Sequence, residues 1–141
     1  MARQGYFIEE LEVGHAAEYA KTITEADIIL FAGVSGDTNP VHLNETYASG
    51  TMFKGRIAHG MLSASLISTV FGTIMPGPGA IYISQSLKFK APVRIGDTVT
   101  ARCTLSELEL ARKRAKFACE CRVGDTLVIE GEAVLMVPSR G

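Results

Sequence analysis

Between Ala58 and Ile74 the chain carries Met61, Leu62, Leu66, Ile67, Val70, Phe71 and Ile74 with no charged residue among them. After His59 the intervening positions are only Ala, Ser, Thr and Gly. A helix that is apolar nearly all round has to be buried, so the rest of the chain must supply a surface that encloses it. The segment stops at Met75-Pro76-Gly77-Pro78-Gly79, where two prolines and two glycines rule out regular structure. That break separates a helical half from a strand half.

The enclosing surface is legible after the break. Residues Ile81 to Phe89, Val99 to Leu108, Ala115 to Val123 and Leu127 to Val137 alternate with period two and predict four strands. Gly96-Asp97, the charged stretch Arg112 to Arg114, and Gly124-Asp125 suit hairpin or meander connections, so the sheet is expected to be antiparallel. Glu18 to Ile23 adds an edge strand. A sheet of five or six strands curled around one long helix satisfies the apolar surfaces of both, an α+β arrangement. Before the helix, Thr24 and Asp27 have the spacing of a capping box, followed by the apolar run Ile28 to Val34 with Gly33 and Gly36 as stops. With 141 residues, 47% of them hydrophobic, a single domain over 1–141 is the default expectation.

Charge and cysteine content narrow the function class. Fourteen basic and fifteen acidic residues leave a formal net charge of -1, which gives no broad reason to expect nucleic acid or an anionic membrane as partner. No stretch approaches the roughly 20 apolar residues of a spanning helix, and the N-terminal sequence lacks a signal-peptide core, so a cytoplasmic location is expected. Cys103, Cys119 and Cys121 are odd in number and lie in alternating strands, which favours buried thiols over a disulfide framework. Cys119 and Cys121 have no further ligand at metal spacing, and no metal is expected.

Two short stretches carry the chemistry. In Ser35-Gly36-Asp37-Thr38-Asn39-Pro40-Val41-His42 a carboxylate and an imidazole stand five positions apart across an Asn-Pro turn. Pro40 fixes its own φ and biases Asn39 toward extended geometry, giving an ordered loop of the kind that holds catalytic groups. The alternative is that Asp37 caps a turn while His42 starts a short helix. In Arg56-Ile57-Ala58-His59-Gly60-Met61-Leu62 a His-Gly pair opens the apolar helix. Its free backbone N–H groups suit a carbonyl oxygen that becomes negative, while plain helix initiation is the alternative, with His59 either packed, capping or catalytic.

Taken together, FAGVSGDTNPVHLNETYA, GRIAHGMLSASLIS and SQSLKFKAPVRIGDTV resemble the MaoC-type (R)-specific enoyl-CoA hydratases, including those that feed polyhydroxyalkanoate synthesis. The resemblance extends from about Phe7 to Val137. It implies a hotdog fold, at least a homodimer with sites at the subunit boundary, and hydro-lyase activity on trans-2-enoyl-CoA. It further implies that Asp37 and His42 hold one water molecule and that the Gly60 amide binds the thioester carbonyl, with Ser68 in a supporting position. Asn39 would orient the loop or the water, or simply precede the proline. No cofactor is implied, since CoA is part of the substrate. Lys54, Arg56, Lys88, Lys90 and Arg94 are the cations available to the CoA phosphates. Ile67 and Phe71 either shape the acyl pocket or fill the core. The rival readings are a 3-hydroxyacyl-ACP dehydratase, a hotdog thioesterase, which the Asp-Asn-Pro-His loop disfavours, and a non-catalytic acyl-binding subunit, which would be expected to lack Asp37 or His42.

Overall fold

The computed structural model describes residues 5–141 and places one helix against one antiparallel sheet, the expected hotdog arrangement. Strands β1 (Ala16–Thr22), β2 (Ile81–Gln85), β3 (Lys88–Phe89), β4 (Thr98–Glu109), β5 (Arg114–Val123) and β6 (Thr126–Met136) lie in the order β1-β4-β5-β6-β2, with β3 also on β6. Strands β4, β5 and β6 form the predicted meander, whereas β2 and β3 pair with β6 and not with β4, so the Gly96-Asp97 connection crosses the sheet and is not the expected hairpin. Gly124 at φ 57° and Asp125 make the β5–β6 turn, as right-handed strand twist demands of a two-residue connection. Alternation buries Val99, Ala101, Cys103 and Leu105 of β4 and Ala115, Phe117, Cys119 and Cys121 of β5 on the concave face.

That face holds helix α4 (Gly60–Thr69). Leu66, Ile67, Val70 and Phe71 are buried, and Phe71 packs on Phe117 at 4.9 Å between ring centroids. The apolar segment is therefore enclosed as its composition requires, but it is not one regular helix. It begins at Gly60 instead of Ala58 and widens over Val70–Ile74 into a π-helical turn, with the Met75 amide bonded to the Val70 carbonyl at 2.8 Å.

The expected strand Ile81 to Phe89 is also interrupted. Its halves cross β6 at Gly131, where a Cβ would lie 1.8 Å from the Ser86 carbonyl oxygen. Ser86 bonds Glu132 twice there, through its amide at 2.8 Å and its hydroxyl at 3.0 Å. Alternation reports which residues face inward; it does not report a bend at a glycine in the opposite strand.

Helix α1 (Glu25–Ser35) starts at the predicted capping box, with the Thr24 hydroxyl 3.2 Å from the Asp27 amide and the Asp27 carboxylate 2.9 Å from the Thr24 amide. It ends at Gly36, whose φ of 78° closes the last turn in the left-handed conformation. Two short helices follow, α2 (Pro40–Leu43) and α3 (Glu45–Ser49). Among the described residues no helix is long and apolar enough to cross a membrane.

Candidate active site

The loop between α1 and α2 is built from consecutive side-chain caps. The Asp37 amide donates to the Ser35 hydroxyl at 3.1 Å, the Asn39 amide to Asp37 Oδ1 at 3.2 Å, and the Val41 amide to Asn39 Oδ1 at 3.0 Å. Asp37 therefore does cap a turn and His42 does sit in a short helix, and the caps are what hold these two residues in place. Asn39 is the N-cap of α2, with Pro40 in the first helical position where its missing N–H is not needed.

His42 is buried at 9% exposure. Its Nδ1 lies 2.8 Å from the Ile57 carbonyl oxygen, an acceptor only, so Nδ1 carries the proton in the neutral ring and Nε2 keeps its lone pair. The His42 carbonyl accepts from Arg56 Nε at 2.7 Å. The ring of His59 is stacked on His42 at 3.9 Å between centroids, and Phe31 tilts against His59 at 4.8 Å. His59 is 2% exposed, and its Nε2 meets the backbone carbonyl of Asp37 at 2.9 Å.

One donor atom from each of Asp37, His42 and His59 falls within 4.8 Å of the others. A water molecule accepted at both ends over hydrogen bonds of about 2.8 Å spans roughly 4.5 Å, so this separation suits a shared water. A set of two imidazoles and one carboxylate has the composition of a divalent-metal site as well, although one nitrogen of each ring is already engaged with a backbone carbonyl.

Gly60 follows His59 as the first residue of α4. The Leu62 and Ser63 amides return to the His59 carbonyl at 3.1 and 3.5 Å, which leaves the Gly60 and Met61 amides without an intrahelical acceptor. A side chain at this position would crowd a neighbour: a Cβ would lie 2.7 Å from the ring of Phe89 on β3. Asp37, His42, His59 and Gly60 all open on one cavity of about 680 Å³ whose other walls include Phe31, Met52, Phe53 and Phe89. That size and apolar lining fit an acyl chain.

The remaining candidates are distributed otherwise. Ile67 and Phe71 lie in the core, at 0% and 2% exposure, and line neither described cavity. Ser68 is exposed on α4 beside a second cavity with Tyr82 and Ile83, whereas the serine facing the Asp37 and His42 cavity is Ser63, 1% exposed with no partner for its hydroxyl. Sequence reasoning missed Ser63 because every third or fourth position of α4 is small. Phe31 and Phe89 were legible only as ordinary apolar residues. Arg56 is not an available cation. Besides His42 it holds Glu25 of α1 through two bonds of 2.7 and 2.9 Å, and this guanidinium keeps the Glu25 carboxyl below its usual range. Arg94 reaches the Phe53 carbonyl, and Lys90 pairs with Glu130 at 3.3 Å. Lys54 and Lys88 are exposed and have no ion-pair partner among the described residues.

The chain is similar to known proteins over nearly its whole length. The MaoC like domain model matches residues 9–126. An (R)-specific enoyl-CoA hydratase of Rhodospirillum rubrum is 60% identical over 136 residues, covering 96% of this chain and 94% of the relative. The unliganded R-hydratase from Pseudomonas aeruginosa superposes with a TM-score of 0.91 at 46% identity, over 97% of this chain and 88% of that one. The (R)-hydratase of Aeromonas caviae involved in PHA biosynthesis gives 0.89 at 41% identity, over 92% and 99%. By sequence and by fold, the chain belongs to the MaoC like domain family.

Proposed function

We propose that this protein is a hydro-lyase that adds water reversibly to trans-2-enoyl-CoA to form (R)-3-hydroxyacyl-CoA, in fatty-acid or polyhydroxyalkanoate metabolism. The observation that carries this reading is the convergence of Asp37, His42 and the free Gly60 amide on one apolar cavity. The thioester carbonyl accepts the Gly60 N–H, which draws electron density from C3 and stabilises the enolate formed when water attacks there; one such donor contributes roughly 10²–10³ in rate. The water lies between the Asp37 carboxylate and His42 Nε2, and the pair removes its proton and returns one to C2, worth roughly 10²–10⁴. No cofactor enters, since CoA arrives with the substrate. Lys54 and Lys88, exposed and without an ion-pair partner among the described residues, and Lys90, which lines the cavity, are the cations left to meet the CoA phosphates.

The reading includes a cytoplasmic enzyme that works as a homodimer or higher oligomer. Strand β2 lies at the sheet edge, and its Ile81, Tyr82 and Ile83 are 54%, 41% and 47% exposed, an apolar edge that a second copy would cover. The test is loss of the ultraviolet absorbance of crotonyl-CoA on hydration, with chiral analysis of the product and a chain-length series on CoA and ACP thioesters. Turnover with formation of the (R)-3-hydroxy product is expected. Asp37→Asn and His42→Ala each lower kcat by at least about 10² without unfolding. No turnover on any short or medium enoyl-CoA refutes the activity, and preference for the ACP series assigns the carrier instead.

A further inference from the structure

We infer that His59 is a positioning residue, a buried imidazole that ties both members of the Asp37 and His42 pair to the start of α4. The inference rests on the reading of that pair as the water-holding site. It begins with an imperfection. His59 is 2% exposed, yet its Nδ1 has no hydrogen-bond partner among the described residues. An unsatisfied buried acceptor is costly, and an apolar residue in the same space would avoid that cost. What an apolar residue cannot do is use the opposite nitrogen, which lies 2.9 Å from the Asp37 carbonyl.

A carbonyl only accepts, so Nε2 carries the hydrogen, and the neutral ring then has its bare nitrogen at Nδ1. His42 has the opposite arrangement, with the proton on Nδ1 toward Ile57. The two stacked rings are thus held as opposite tautomers by two backbone carbonyls. Each bond has its own task. The Nε2–H of His59 fixes the backbone of Asp37, and the ring face at 3.9 Å fixes the plane of His42. Phe31 packs against the ring of His59. Because His59 is the N-cap of α4, immediately before Gly60, the same residue sets the distance from the water-holding pair to the carbonyl-binding amide. A displacement of about 1 Å between such groups can cost 10²-fold in rate.

Two substitutions divide these tasks. His59→Gln keeps an N–H near the Nε2 position and loses the ring; His59→Phe keeps the ring and loses the donor. With crotonyl-CoA, His59→Phe is expected to lower kcat about 10–100-fold with KM changed less than about threefold, and His59→Gln to recover at least about a third of that loss on a logarithmic scale. A role confined to packing would give the reverse order, with Phe the milder change, and that result overturns the proposal. So does a near-native kcat for His59→Phe. Nitrogen-15 NMR of the wild-type protein tests the assignment without any variant: His59 must show a protonated Nε2 and a bare Nδ1, and His42 the converse. A protonated Nδ1 on His59 overturns the proposal. Asp37→Asn and His42→Ala separate the two levels. If they retain activity, the reading of the pair fails; if they are inactive while His59→Phe is not, only the role of His59 fails.

Discussion

Replacing Arg56 with alanine separates two roles that the same side chain could have. In the structure it braces the loop: Nε to the His42 carbonyl at 2.7 Å, and Nη1 and Nη2 to the Glu25 carboxylate at 2.7 and 2.9 Å, with the side chain 16% exposed. A hydrogen bond from a charged donor contributes about 1.5–3 kcal/mol, and the ion pair with the half-exposed Glu25 adds little that salt does not screen. For 141 residues the unfolding entropy is about 0.3 kcal/mol/K, so Arg56→Ala should lower Tm by about 5–10 °C. His42 keeps its bond to Ile57 but loses the brace on its own carbonyl, and kcat should fall about tenfold. The assay compares crotonyl-CoA with crotonyl-pantetheine, which lacks the phosphates. A brace predicts the same loss on both thioesters and a nearly constant KM. A phosphate contact predicts a KM increase on the CoA ester alone, growing weaker at high salt. An unchanged Tm with that selective KM effect would refute the bracing role. Arg56→Lys should recover little, because an ammonium cannot serve the carbonyl and both carboxylate oxygens in this planar arrangement.

Gly60→Ala drives a Cβ to 2.7 Å from the ring of Phe89 and should lower kcat at least about tenfold; Phe89→Ala in the same chain should relieve part of the loss, measured by steady-state hydration. Cys103, Cys119 and Cys121 are 0–3% exposed, so a disulfide reagent at pH 8 should modify none of the three until denaturant is added; burial pushes the Cys121 thiol up to about 12, while the hydrogen bond with Cys103 lowers that of Cys119, so Cys119 should react first once the core opens. Thr24→Ala removes the N-cap of α1 and should cost about 1 kcal/mol in chemical denaturation. The Lys21 ammonium at 2.7 Å and the Thr24 amide hold the Asp27 carboxyl below its usual range. Its charged form therefore stabilises the fold fully above about pH 4 and loses that contribution as pH falls through the lowered pKa. Asp27→Asn should accordingly be the less stable protein at pH 7, with the gap narrowing in acid.

The parts of the fold that were legible in sequence are those governed by local pattern. Period two placed β4, β5 and β6 to within one residue at each end, the expected edge strand at Glu18 to Ile23 is β1 shifted by up to two residues, and Thr24 with Asp27 marked the start of α1. The break at Ser86 was hidden because its cause, Gly131, lies 45 positions along the chain on β6. The widened turn at Val70–Ile74 was hidden because apolar composition does not distinguish one helical period from the next over so few residues. In the site, Asp37, His42 and Gly60 stood out by motif and do share a cavity. The cation candidates did not separate by type. Lys54 and Lys88 differ from Arg56 only in what surrounds them, and Glu25, which occupies Arg56, is 31 positions away. His59 could be read as packed, capping or catalytic until its two neighbours, the Asp37 carbonyl and the His42 ring, were in place.

The burial of α4 also bears on how the chain is made. The helix leaves the ribosome before β4, β5 and β6, the strands that cover it, which occupy residues 98–136. At roughly 5–20 residues per second, several seconds separate synthesis of this charge-free segment from synthesis of its cover. During that interval α1 and β1 are, among the described residues, the only elements of comparable length already made. This charge-free segment of the nascent chain thus waits for the strands that cover it, and slow or stalled translation between Gly79 and Val137 would be expected to reduce soluble yield.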